Sequence, residues 1–502
     1  MLFGKNTFSF VFALAVAFTA SCVTAAAQDA TMRQKIERLV SDPVLSQAQV
    51  GICVRKMSGE LVADVNGERM LVPASNMKLI TTGAALCELG GDFRFGTAIA
   101  YSGEIVGGVL NGDVYIIGGA DPTLGSRDSI ATAIDVVFRR WKGMLDDAGI
   151  RKINGHIVGD GRWFGSMPEE ESWLWSDLGT YYGCGTTGLM FYENMQSFMV
   201  SPGAKVGDRL KIEMYYPSAP WMKYSYDCCT GEAKTGDRLY MYTSEFAPAG
   251  VLRGTFAVDR KRKRVDCSNK FPEYTCAKYF SDYLNGAGLV NSGAGDFRLS
   301  AVSDFYVPGC NEKTTELGKI FSPALRRIVF ETNHQSNNLY AETMMRTLGK
   351  QLRGSDSYEA SVKAVKEILA GLMGGEQALR GIHIKDGSGL SRQNYVSADF
   401  FCRFLIAMTK SPVFEDFAAS LPSPGSNGSL QYNMQKYSQD LKERVYLKSG
   451  SMNGVLCYSG YVIPAECCIG DALVFSVMVN NCTAPLWKLR PLLDSIIAAI
   501  AE

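Results

Sequence analysis

The stretch Pro73-Ala74-Ser75-Asn76-Met77-Lys78, running on into Leu79-Ile80-Thr81-Thr82-Gly83-Ala84-Ala85-Leu86, decides how this chain is read. Positions three apart share a helix face, so a helix here brings the Ser75 hydroxyl within hydrogen-bond reach of the Lys78 amine. The apolar residues that follow predict burial, which penalises the ammonium form and lowers the lysine pKa toward neutrality, as a basic catalyst requires. A serine at a helix start also meets free backbone N–H groups and the positive end of the helix dipole, which favour developing negative charge. Taken alone, the tetrapeptide fits an ordinary amphipathic helix equally well, and its meaning depends on what else the chain carries.

Acyl transfer through a Ser/Lys pair needs a proton path to the leaving amine, a grip on the substrate and an oxyanion hole. Two later motifs supply candidates: Ser336-Asn337-Asn338, inside Thr332 to Glu342, and Lys448-Ser449-Gly450-Ser451, after Val445-Tyr446-Leu447. S-x-x-K, S-[DN]-N and K-[ST]-G in that order are the signature of penicillin-binding proteins and β-lactamases. Lys234-Thr235-Gly236 matches the third motif more literally, but it precedes Ser336 and lies in the polar, turn-like Gly231 to Asp237. A backbone that pairs with substrate must be a strand edge, and only Lys448 has strand-like flanks. His156, His334 and His383 are far apart, and no G-x-S-x-G elbow accompanies them, which disfavours a Ser-His-Asp hydrolase. No C-x-x-C spacing occurs either, so neither a metal site nor a cofactor is expected.

The first residues carry one charge, Lys5, then the apolar stretch Phe8 to Ala20 and small residues ending Thr24-Ala25-Ala26-Ala27. This reads as a secretory signal peptide over residues 1–27, too short in its apolar core for a membrane span. Cys22 offers an alternative as a lipidated cysteine, although Thr19 is a poor fit where an aliphatic residue is usual. Cleavage after Ala27 leaves 502 − 27 = 475 residues, enough for about three domains. The 51 basic and 51 acidic residues balance, so nothing steers the chain toward nucleic acid. The basic run Arg260 to Arg264, bounded by Asp259 and Asp266, reads as a solvated hairpin or edge. Fourteen cysteines in an exported chain allow some pairing, with Cys228, Cys229, Cys267 and Cys276 in one region and Cys457, Cys467, Cys468 and Cys482 in another.

Along the chain, residues 28–92 hold a helical start (Met32 to Leu39), a strand (Val50 to Val54) and the Ser75 helix. Short alternating runs punctuated by Gly then predict β-rich insertions up to about Leu299. Helical periodicity returns at Tyr274 to Leu284, dominates from Ala324 to Leu348 and Ser357 to Leu372, and gives way to strands at Gly454 to Val462 and Ala472 to Val479 and a helix from Ala484 to Ala501. One α/β domain built from both ends, with the middle inserted into it, is the simplest arrangement.

With these motifs in place the chain resembles the D-alanyl-D-alanine carboxypeptidase/endopeptidases among the class C low-molecular-mass penicillin-binding proteins. The resemblance includes Gly118 to Leu124, Gly159-Asp160, Tyr182-Gly183, Gly188-Leu189, Glu193-Asn194 and Asp386 to Arg392, and a spacing of 336 − 75 = 261 residues between the first two motifs. It implies an α/β (α+β) fold: a β-lactamase/transpeptidase-like domain of antiparallel sheet with flanking helices, interrupted by two inserted β-rich domains. The implied segments are 28–92 and 306–502 for the transpeptidase-like domain, 93–165 and 251–305 for the first insert, and 166–250 for the second. The resemblance also implies a periplasmic enzyme without a cofactor, acting on peptidoglycan peptides and inhibited covalently by β-lactams, and leaves its oligomeric state open. Carried over by position, Ser75 is the nucleophile, Lys78 its base, and Ser336 the relay toward the leaving amine. Asn338 holds the substrate amide, Lys448 supplies positive potential, Ser449 grips the terminal carboxylate, and the N–H groups of Ser75 and Ser451 form the oxyanion hole. Ser449 stands where Thr is usual and Asn337 where Asp is common, which leaves the charge near the lysine open. A serine β-lactamase or esterase, and a non-catalytic cell-wall binding protein, are the competing readings.

Overall fold

The computed structural model describes residues 28–298, 306, 312–464 and 469–502. The signal-peptide and Cys22 readings fall outside these residues, as do Cys467 and Cys468.

Both ends of the chain build one antiparallel five-stranded sheet. Its strands are β1 (Gln49–Lys56), β2 (Leu61–Val65), β3 (Val445–Met452), β4 (Val455–Val462) and β5 (Leu473–Asn480), in the order β2-β1-β5-β4-β3. Period-two alternation sends successive side chains to opposite faces, and here both faces are covered. Ile52, Val54, Tyr458 and Val477 pack against the helix at 28–40 and the C-terminal helix, while Cys53, Cys457 and Met478 pack against the other helices. Those helices are α1 (Met77–Leu89), α2 (Leu325–Gln335), α3 (Asn338–Arg353), α4 (Tyr358–Met373) and α5 (Ala398–Met408); the C-terminal helix is α6 (Leu486–Ala501). The long periodic run from Ala324 is two helices, because Ser336 takes the left-handed conformation at φ 60° and Asn337 caps α3 by accepting from the Tyr340 N–H.

The intervening chain forms two further bodies. The first is a mixed five-stranded sheet, Ala294–Asp296, Ile157–Asp160, Val114–Gly118, Gly96–Tyr101 and Thr315–Phe321 in that order. Two amphipathic helices, Ile134–Asp147 and Pro272–Gly286, close its core around Trp141, Phe138 and Phe280, so this body is α/β rather than merely β-rich. The second body is two three-stranded sheets around Phe198, Met241, Leu252 and Phe256. Thr315–Phe321 pairs with Gly96–Tyr101, and Lys263–Ser268 pairs with Met195–Ser201. Residues 315–321 and 251–268 therefore sit in neighbouring bodies rather than in the segments 306–502 and 251–305 to which the sequence reading assigns them. The basic run leads into Lys263–Ser268, an edge strand, with Arg262 and Lys263 paired to Glu213 and Asp237 at the surface. Cys228, Cys229, Cys267, Cys276, Cys457 and Cys482 are free thiols, so no disulfide joins them among the described residues.

Candidate active site

Ser75 lies in the short turn Ala74–Asn76 that feeds α1, with Ala74 itself in a left-handed conformation at φ 46°. Two glycines hold this turn. A Cβ on Gly450 of β3 would stand 2.5 Å from the Pro73 carbonyl and 2.9 Å from the Ser75 nitrogen. A Cβ on Gly389, itself at φ 83°, would stand 1.9 Å from the Ala74 carbonyl. The edge strand and the Gly389 turn thus press on the serine from two sides at distances only glycine permits.

Lys78 is fully buried, and its Nζ lies 3.1 Å from Ser75 Oγ, 2.6 Å from Asn338 Oδ1 and 2.7 Å from the Ser388 carbonyl oxygen. Asn338 and Ser388 offer pure acceptors, so each takes one N–H of the amine. A neutral amine has two such protons and one lone pair, and the lone pair is then left facing the Ser75 hydroxyl. Burial lowers the lysine to about 7, against the opposing pull of the Glu342 and Asp386 carboxylates. The Asn338 amide is fixed from its other end, where Nδ2 donates to the Tyr182 carbonyl at 2.9 Å.

Ser336 and Lys448 form the second half of the site. The Lys448 Nζ donates to Ser336 Oγ at 3.0 Å and to the Ser449 carbonyl at 2.7 Å. Burial, and then the Lys78 charge, push this lysine well below its ordinary value. Asn337 points away from the amine and donates to Glu193 at 2.9 Å, so the Ser336 loop is tied to the inserted chain. Ser75, Ser336, Ser449 and Ser451 line one pocket of about 90 Å³, with Tyr458 and Arg490 on its wall. His334, pushed down to about 4 by burial and then by the Lys448 charge, is a neutral neighbour of Ser336. Lys234 is on an exposed turn of the second inserted body, its N–H bonded to Asp259.

All seven residues singled out in the sequence thus converge on one cleft: Ser75, Lys78, Ser336, Asn338, Lys448, Ser449 and Ser451. Four contributors were not read from the sequence. The Tyr182 and Ser388 carbonyls are backbone groups with no residue signature, Glu342 looks like any charged helix residue, and Arg490 arrives from the far end of the chain. Among the described residues no group of three or more His, Cys, Asp or Glu side chains is arranged to hold a metal ion.

Residues 32–490 match the D-Ala-D-Ala carboxypeptidase 3 (S13) family, and the chain belongs to that family of serine-type carboxypeptidases. It is 29% identical over 495 residues to a D-alanyl-D-alanine carboxypeptidase of Actinomadura sp. strain R39, covering 94% of this chain and 84% of that one. A D-alanyl-D-alanine carboxypeptidase of Haemophilus influenzae is 23% identical, with 86% of each chain covered. The crystal structure of penicillin binding protein 4 from Haemophilus influenzae superposes with a TM-score of 0.76 at 21% identity, over 92% of this chain and 97% of that one. The same protein complexed with a β-lactam superposes at 0.71, with 21% identity over 92% of this chain and 97% of that one. The fold that the resemblance implies, a transpeptidase-like antiparallel sheet with helices and inserted domains, is therefore the fold observed.

Proposed function

We propose that Ser75 is the nucleophile of this serine peptidase and Lys78 its base, and that the enzyme releases the terminal D-alanine of peptidoglycan stem peptides through an acyl-enzyme on Ser75. The observation that carries the reading is the three-partner environment of Lys78, which supplies a neutral amine whose lone pair faces a hydroxyl. Lys78 takes the Ser75 proton as Oγ attacks the peptide carbonyl carbon, and the N–H groups of Ser75 and Ser451 receive the oxyanion. The C–N bond then breaks while Ser336, held by Lys448, gives its proton to the departing D-alanine amine and takes in its place the proton that Lys78 removed from Ser75, which returns Lys78 to its neutral form. Water, deprotonated at Lys78, hydrolyses the ester. Ser449 and Arg490 face the place of the substrate carboxylate, which suits a free peptide terminus, and Asn338 orients the substrate amide. A β-lactam mimics the terminal peptide and is trapped on Ser75.

The substrate side is tested by digesting uncross-linked and cross-linked muropeptides and weighing the products. Loss of one D-alanine from the uncross-linked peptide is expected; cutting of cross-links alone makes the enzyme an endopeptidase, and rapid penicillin turnover with no peptide cleavage makes it a β-lactamase. We assign the enzyme to the periplasm, exported by residues 1–27, and expect a mature N-terminus at Gln28 by intact mass. We divide the chain at its strand pairings, into a catalytic body from its two ends and two nested inserts.

A further inference from the structure

Glu342 lies one helical turn beyond Asn338 on α3 and is fully buried. Its Oε1 accepts from the Ser388 N–H at 2.6 Å and its Oε2 from the Gly387 N–H at 3.1 Å. The carbonyl of that same Ser388 accepts from Lys78. Residues four apart share a helix face, and here one face of α3 reaches the amine twice, directly through Asn338 and indirectly through the peptide that Glu342 grips. The gripped turn has no slack. A Cβ on Gly387 would stand 2.9 Å from Met345 Cβ and 3.0 Å from the Ala341 carbonyl of α3, and Gly389 is pressed against Ala74 on the other side.

A buried carboxylate is costly to desolvate, and a residue needed only for packing here would be apolar. Among the described residues no lysine or arginine forms an ion pair with Glu342; its two oxygens are satisfied by backbone N–H groups. The ionisable groups around it are Lys78 from α1, Asp386 from the turn and Tyr358 from α4, with Lys448 behind Lys78. Burial and then the Asp386 charge push the Glu342 carboxyl up, while the Ser388 side chain and the Gly387 and Ser388 N–H donors pull it down. Its charge in turn holds the Lys78 amine up against burial.

We propose that Glu342 is a positioning residue of the acylation step: it clamps the Gly387-Ser388 turn and so keeps the Ser388 carbonyl and Asn338 on the two protons of Lys78, leaving the amine's lone pair for Ser75. The inference rests on Lys78 being the base of Ser75. The test is the acylation rate with a fluorescent penicillin, from about pH 5 to about pH 9, for the full-length parent, Glu342→Gln and Glu342→Asp. Gln keeps the shape but loses the charge and sets an NH2 group against one of the two N–H donors. Its plateau should fall about tenfold or more, and its acid limb should move about one unit lower, because the opposite charge that favoured protonated Lys78 is gone. Asp keeps the charge but is too short to reach both N–H groups, so its plateau should fall with the limb nearer the parent's. A folded Gln variant whose limb coincides with the parent's, whatever its plateau, shows a structural role only and overturns the proposal. Should neither variant fold, hydrogen exchange in the parent decides: slow exchange at Gly387 and Ser388 supports the clamp and fast exchange overturns it. Labelling of a folded Ser75→Ala variant, or a parent rate flat with pH, would instead overturn the assignment of Ser75 and Lys78.

Discussion

At Lys78, the proposed base, two effects oppose each other: burial drives the proton off, and the Glu342 and Asp386 charges hold it on. Burial wins, and the amine comes to about 7. Only the neutral amine can take the Ser75 proton, so the rate of β-lactam acylation should rise as pH passes upward through about 7 and level off above it. A stopped-flow pH profile without that rise counts against the assignment. The third motif makes a sharper demand, because two lysines compete for it. Lys448→Ala removes the donor that holds Ser336, and truncating one partner of a buried charge-assisted contact costs on the order of 2 to 5 kcal/mol, or roughly thirtyfold to several thousandfold in acylation rate. Lys234→Ala, on an exposed turn, should leave the rate at the parent level. If the two results are exchanged, with both variants folded by circular dichroism, the site is wrongly built. The side chains of this site were legible in the sequence because their chemistry depends on residue type at helical spacing and in a fixed order. The acceptors that aim the amine were not: the Ser388 and Tyr182 carbonyls are groups that every residue carries, and nothing in a linear sequence says where they point.

The elements that carry these residues meet at unusually close range, and Gly450 is where β3 crosses the serine turn. An alanine there places its Cβ against three backbone atoms, the Pro73 carbonyl oxygen at 2.5 Å, the Asn76 nitrogen at 2.8 Å and the Ser75 nitrogen at 2.9 Å, and none can rotate away. The strand must retreat, at a cost of about 1 to 3 kcal/mol for overpacking. Gly450→Ala should therefore remain folded with a lowered melting temperature, and its acylation should fall far more than its stability, because the strand's backbone is displaced from Ser75, the proposed nucleophile. Acylation at the parent rate would show that the contact between β3 and the serine has no part in the chemistry. The strand itself could be read from Val445-Tyr446-Leu447, whereas the break between α2 and α3 could not be read from periodicity. Glu331 to Asn338 are all polar, so apolar spacing does not say where among them the helix breaks; the break is made by a left-handed serine and an asparagine cap, two local choices that hydrophobic pattern does not register.

Across the whole molecule the catalytic body and the inserted chain are joined beneath α3, where a buried ion pair of the catalytic body hydrogen-bonds to the inserted chain. Arg346 of α3 is fully buried; it pairs with Asp356 and donates to the Thr186 carbonyl at 2.6 Å and to Thr186 Oγ1 at 2.7 Å. Asp356 completes the joint by accepting from the Gly165 and Ser166 N–H groups at 3.0 and 3.1 Å. None of this was visible in the sequence, nor was the nesting of the inserts, because pairings such as Gly96–Tyr101 with Thr315–Phe321 join segments with no shared local signal. The consequence is a coupling between fold and site, since the helix that Arg346 anchors also carries Asn338 and Glu342. Arg346→Met should leave Asp356 buried without its cation, a loss of about 3 to 5 kcal/mol, seen as an earlier transition in scanning calorimetry of the full-length protein. Acylation should fall with it as α3 loosens over Lys78. Adding Asp356→Leu removes the stranded charge, and replacing both partners of a buried pair by apolar side chains is often neutral, so the double variant should recover most of the lost stability. Its acylation should recover less, because the backbone groups at Gly165, Ser166 and Thr186 still lack their partners on the catalytic body. A single variant that melts with the parent would mean that this joint contributes nothing to holding α3.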